Sequence, residues 1–195
     1  DTVEDEAGQR FAVAPGDQVR AGRRRPQTEE LLGGHLVARA PVRDTAARVL
    51  ADWPDAAALP ALTEVFRTTQ DESHRFLALR GCVRLLESSS QPLPEKVKAF
   101  ADLLARTERP DDRKAILSGL GNVADPAALK LVEPLLANET VQAEAELAAL
   151  NIAAGLVKSA PAEAKAVATR IQAESKSETA KDKAAKILNQ LEKKR

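Results

Sequence analysis

The chain has 195 residues, 44% hydrophobic and 30% charged, enough apolar material for one ordinary domain or one run of repeats. Its formal net charge is zero, which removes the simplest argument for nucleic acid or an anionic membrane surface as partner. Aromatic residues make up only 3%, and the single cysteine excludes an intrachain disulfide while being compatible with a reducing compartment.

Ala, Leu and Val dominate the apolar content. Ala and Leu lose little side-chain freedom in a helix, so this composition favours helices over sheets. No run of 18 or more apolar residues exists, so no transmembrane helix is expected. The chain begins at Asp1 without a signal-like segment, as a trimmed form, a mature form or a fragment would. All basic residues before Lys96 are Arg, a bias most simply explained by drift in base composition or by joined segments of different history.

Residues 1–41 form an irregular N-terminal arm. They run from an acidic start (Asp1, Glu4, Asp5, Glu6) through Pro15-Gly16-Asp17 to a basic cluster at Arg20, Arg23, Arg24 and Arg25. Breakers are frequent and periodicity is poor, which predicts a loosely ordered segment. One helix is expected over Thr28–Ala40, weakened by Gly33-Gly34 and stopped by Pro41.

From residue 42 the pattern becomes regular. Helical stretches are predicted at 42–53, 55–68, 71–88, 94–107, 111–122, 126–137, 139–158, 161–174 and 178–193. Apolar residues recur three and four apart, as in Phe76, Leu79, Val83, Leu86 and in Val97, Phe100, Leu103, Leu104. That spacing covers one face of a 3.6-residue helix. Asp55 and Asp125 can cap the following turns, and Pro126 and Pro161 suit a first helical turn. No stretch alternates with period two for long enough to suggest a strand.

The segment Arg43–Leu59 lies over Arg113–Leu129 at an offset of 70 residues. Arg43 meets Arg113, Leu50 meets Leu120, Asp55 meets Asp125 and Leu59 meets Leu129. Seventy residues is two units of about 35, each a helix pair, and self-similarity at that period marks a repeat architecture.

The residues that repeat resemble HEAT repeats of bacterial proteins. The resemblance rests on VRDTAARVLADWPDAAALPAL from Val42, HRFLALRGCVRLL from His74, RKAILSGLGNVADPAALKLVEPLL from Arg113 and AEAELAALNIAA from Ala143. Tetratricopeptide repeats have a similar period, but their Trp, Gly-Tyr and Ala-Phe landmarks are missing. The resemblance implies an all-α, α-α superhelix over 42–195 of about four stacked helical hairpins, with 161–195 as a C-terminal cap. It also implies that the helices at 42–53, 71–88, 111–122, 139–158 and 178–193 line the inner, partner-binding surface.

Candidate site residues are few. Arg43, Arg80, Arg84 and Arg113 lie on those inner helices and could grip acidic groups or phosphates. Solvated charge with local ion pairs, or a structural arginine repeated with the pattern as Arg43 and Arg113 are, explains them more simply. His35 and His74 lack a second ligand at metal spacing, and Cys82 sits in the core-facing run LALRGCVRLL, where a thiol should be poorly reactive. Gly81, Gly119 and Gly121 interrupt helices and so predict close helix approach. Asp71-Glu72 and Asp111-Asp112 sit at helix starts, where they complement the dipole.

The expected function is a non-catalytic protein-binding scaffold, alone or within a larger chain, with no cofactor or metal and with another protein as partner. One alternative is nucleic-acid binding, as in the HEAT-like DNA glycosylases. Those need aromatic side chains to stack on bases, and here Trp53 is the only Trp and there is no Tyr. The other alternative is a relative of HEAT-like bilin lyases, for which no residue argues beyond the repeat.

Overall fold

Helix after helix begins where the sequence places a cap. In the computed structural model, which describes residues 2–4, 10–12 and 44–193, the Asp55 carboxylate accepts a hydrogen bond from Ala57 N at 2.9 Å. Asp71 accepts one from His74 N at 3.0 Å, and Asp125 one from Ala127 N at 2.7 Å. Each side chain satisfies an N–H that has no partner within its own helix.

The helices follow in order. A first helix, α1, covers 44–51. After a single 3-10 turn (Ala56–Ala58) come α2 (Leu59–Thr68), α3 (Glu72–Ser88), α4 (Leu93–Ala105) and α5 (Pro110–Leu120). Then follow α6 (Pro126–Val132), α7 (Gln142–Leu156), α8 (Pro161–Glu174) and α9 (Glu178–Glu192). Proline stands in the first turn of α2, α4, α5, α6 and α8, where its missing N–H costs nothing. The stretch read as one helix over 126–137 is divided: after Val132 it tightens into a 3-10 helix, Glu133–Ala137. Pro134 is the cause, since it cannot donate to the carbonyl four residues back and its ring crowds that carbonyl.

The chain divides into two units, Asp1–Ala40 and Pro41–Arg195. In the first, the structure corrects the expectation of no strand. Thr2–Glu4 (β1) pairs antiparallel with Arg10–Ala12 (β2), Val3 opposite Phe11. Three residues are too few for an alternating pattern to register in sequence. The helix expected at Thr28–Ala40, His35 and the Arg20–Arg25 cluster lie outside the described residues.

In the second unit the described residues form nine helices around one continuous apolar cluster. Phe66 of α2, Leu79 and Leu85 of α3, Phe100 of α4, Ile116 of α5, Ile152 of α7 and Ile187 of α9 belong to it. Helices α3, α5, α7 and α9 pack in succession, and α4 and α6 pack on each other beside them. Helix α7 is buried along most of its length. Ala145, Ala148, Ala149 and Ala153 allow α5, α6, α8 and α9 to approach it closely.

The 70-residue correspondence extends to individual hydrogen bonds. Trp53 N bonds Leu50 O at 3.2 Å as Val123 N bonds Leu120 O at 3.0 Å, and Ala58 N bonds Asp55 O as Ala128 N bonds Asp125 O. The side chains differ where their surroundings differ. Val123 is 2% exposed in the body of the unit, whereas Trp53, after the first described helix, is 46% exposed.

Gly81 marks a close approach, as its position inside a helix implies. A Cβ there would lie 3.0 Å from Ala51 Cα on α1 and 2.9 Å from Leu62 Cδ1. Gly81→Ala gains roughly 1 kcal/mol of helix propensity, but overpacking against a backbone costs about 1–3 kcal/mol. The expected result is a net loss of stability, seen as a lower urea midpoint; a higher midpoint would mean that α1 can move away from α3 freely.

Candidate functional site

The outward face of the odd-numbered helices is the surface that the sequence offers for binding. Polar contacts cross every gap along it. His74 Nε2 of α3 lies 3.4 Å from Asp44 Oδ1 of α1. Asn122 Nδ2, after α5, donates to Glu87 of α3 at 2.8 Å. Lys114 of α5 lies 3.4 Å from Glu144 of α7, and Lys183 of α9 donates to Asn151 of α7. These exposed pairs add little stability each, yet they fix the register of neighbouring helices. Arg48 beside Asp44, followed by His74, holds the Asp44 carboxyl below its ordinary range.

The candidate arginines do not converge on this face. Arg43 lies outside the described residues. Arg84 reaches back from α3 and donates through Nη2 to the Ala51 carbonyl at 2.9 Å and to the Trp53 carbonyl. It thus satisfies acceptors left open at the C-terminal end of α1. Arg113 donates through Nε to Thr107 O at 2.9 Å, in the connection before α5. Of the three described candidates, Arg80 alone is exposed and makes no hydrogen bond or ion pair with another described residue. It shares the face with the half-exposed Phe76 of α3 and Leu147 of α7.

This division predicts different outcomes for two arginines four residues apart. Arg84→Ala should cost about 1–2 kcal/mol, because charged hydrogen bonds to half-buried carbonyls are lost. Arg80→Ala should stay within about 0.5 kcal/mol of the parent. Chemical denaturation of the two variants checks this, and equal losses would contradict the capping role of Arg84.

The sequence reading missed Arg75. Its Nη1 donates to Phe66 O at 3.2 Å and its Nη2 to Arg106 O at 3.0 Å, and its guanidinium lies 4.3 Å from the centre of the Phe66 ring. Its Nε stands 3.6 Å from Oδ2 of Asp112, a carboxylate only 6% exposed. Asp112 therefore does more than complement the α5 dipole. A second buried carboxylate, Glu146, is held by Ser175 Oγ at 2.6 Å and Gln142 Nε2 at 3.1 Å. Apart from the Gln142–Glu146 pair, four residues apart on α7, the links that close both sets, Arg75 to Asp112 and Glu146 to Ser175, join residues far apart in sequence, so no local pattern reveals them.

A groove of about 350 Å³ runs between α2 and α4. Leu59, Leu103 and Cys82 line it, and at its edge Arg67 pairs with Glu64 through two bonds of 2.9 and 2.6 Å. The Cys82 side chain is fully buried and touches Thr63 Oγ1 at 3.7 Å. Burial pushes its thiol up from 9.0 to about 11, which agrees with the poor reactivity expected from its sequence context.

A raised folded-state value means that Cys82 stabilises the fold below pH 9 and loses that contribution as pH climbs from 9.0 towards about 11. Up to about 2–3 kcal/mol should disappear over that window. Urea midpoints measured across it should fall more steeply for the parent than for Cys82→Ala; parallel profiles would contradict the buried thiol.

None of the described helices is long and apolar enough to cross a membrane. Among the described residues no group of three or more His, Cys, Asp or Glu side chains could hold a metal ion. Comparison with family models, with curated proteins and with solved structures finds no match for this chain.

Proposed function

We propose that the chain is a non-catalytic protein-binding scaffold built as a HEAT-like α-solenoid, with α1, α3, α5, α7 and α9 as its inner row. The observation that carries this reading is the succession of contacts α3 to α5, α5 to α7 and α7 to α9, with the even-numbered helices beside them. The hydrogen bonds repeated at an offset of 70 residues support the same reading. A row of helices sharing one elongated core leaves a long face free, and scaffolds of this kind bind partners there.

Polar cross-links hold the face in register, and Phe76, Arg80 and Leu147 stand out from it. A half-exposed phenylalanine beside an unpaired arginine combines residue types enriched where proteins meet, and Leu147 extends the apolar patch. Affinity purification with the parent chain and with Phe76→Glu/Leu147→Glu tests the reading. Both positions face solvent, so circular dichroism should show an unchanged fold while partner recovery falls. Full recovery of every partner by the folded double variant would overturn the assignment of this face.

A further inference from the structure

At the end of the unit where α7, α8 and α9 meet, the structure has a groove of about 970 Å³. Pro161, Leu188 and Leu191 give it an apolar bed, Lys158 and Lys165 stand on the α8 side, and Glu192 closes the α9 side. Leu188 and Leu191 are only half-buried, although both pack on the core. Lys158 and Lys165 are exposed and have no ion-pair partner among the described residues.

Charge is distributed unevenly along the chain. Between Asp44 and Val157 acidic residues outnumber basic ones by seventeen to twelve, whereas from Lys158 to Lys193 basic residues lead by eight to five. Helices α8 and α9 are each balanced in charge, so the excess at the groove is local: Lys158 and Lys165 on one side against Glu192 on the other. Besides side chains it offers only the few backbone groups left open in the first turn of α8 and the last turn of α9, and no strand edge. An extended peptide would bury unpaired N–H and C=O groups there, at a cost, while a helix brings its own backbone bonds satisfied.

We propose that this groove docks a short amphipathic helix of a partner protein, apolar on the face it lays over Leu188 and Leu191 and acidic along the edge that meets Lys158 and Lys165. The proposal rests on the scaffold reading and supplies it with a second surface and the chemistry of a partner. Glu192 sets the polarity of the match: the partner's opposite edge is neutral or basic.

A phage-displayed library of amphipathic helices of about 16 residues, half with Glu and half with Lys along one edge of the apolar face and all with neutral residues along the other, can be selected on the full chain. The Glu half should enrich, and the enriched peptides should lose at least about tenfold in affinity towards Lys158→Glu/Lys165→Glu and also weaken with ionic strength. Phe76→Glu should leave them unaffected. Both lysines are exposed, so the reversed variant should keep the parent's circular dichroism.

Enrichment of the Lys half, failure of both halves, or binders indifferent to Lys158→Glu/Lys165→Glu would overturn the proposal. So would self-association of the parent chain that the double reversal abolishes, because the groove would then serve a second copy. Binders lost only in Phe76→Glu would overturn the groove while leaving the scaffold reading intact.

Discussion

Phe100→Ala should cost about 3–5 kcal/mol of stability, the range found when a buried aromatic ring is truncated. Phe100 is fully buried on α4, and its ring lies 3.2 Å from where a Cβ on Gly119 of α5 would sit. Val83 of α3 closes the same space at 2.5 Å from that position. Three helices therefore meet on this one ring, and α4 and α5 cannot close the gap without shifting α3. A domain of ordinary stability has about 5–15 kcal/mol in total, so a large fraction would be lost. Urea denaturation reads the change directly, with Leu93→Ala, at a position 42% exposed, as a near-neutral control. The glycine adds a second check. Gly119→Ala should be destabilising in the parent but less so in Val83→Ala, because removing the Val83 methyls frees the space that a Cβ at Gly119 needs. Additive effects would mean that Val83 and the glycine do not share a boundary.

The sequence makes local features legible and leaves long-range ones hidden. Helix spans follow from apolar spacing because each helix must turn one face to the core. The ends at Asp55, Asp71 and Asp125 follow from side chains that act two or three residues away. Cys82 and Gly81 are readable for the same reason: their immediate neighbours already say that the position is buried or crowded. Pro134 was visible too, but whether a proline kinks a helix, ends it or tightens it depends on what packs nearby. The β1–β2 pair escapes because three residues per strand carry almost no pattern.

The face proposed for binding shows the limit more sharply. Arg80 and Arg84 look equivalent in sequence, four residues apart on one helix. They part because Arg84 finds the Ala51 and Trp53 carbonyls some thirty positions earlier in the chain, and nothing around residue 84 announces them. Arg113 is likewise anchored by a turn rather than offered to a partner. Arg80 and Arg84 both lie outside the repeated segment, so the repeat does not separate them; what does is that Arg84 finds carbonyl acceptors and Arg80 finds none among the described residues. The groove at α8 and α9 depends on how two amphipathic helices splay, which spacing alone does not fix.

Arg75→Ala should be as damaging as the loss of a core aromatic, about 3–5 kcal/mol, because it strands a buried charge. Asp112 is 6% exposed, its Oδ2 has no hydrogen bond, and the nearest compensation is Arg75 Nε at 3.6 Å. The same guanidinium also holds the Phe66 and Arg106 carbonyls, which fastens the ends of α2 and α4 to the start of α5. Lysine should not rescue the position, since one ammonium cannot reach two carbonyls, a carboxylate and a ring face at once. Removing the carboxylate as well should recover part of the loss. Arg75→Ala/Asp112→Ala is expected to be more stable than the sum of the single changes predicts, by about 1–3 kcal/mol. A double-mutant cycle in urea measures that coupling. Zero coupling would mean that Asp112 is satisfied by the α5 dipole alone and that Arg75 acts only through the carbonyls. A large coupling would make this pair the clamp that keeps α3 and α5 in register, and with them the face that carries Phe76 and Arg80.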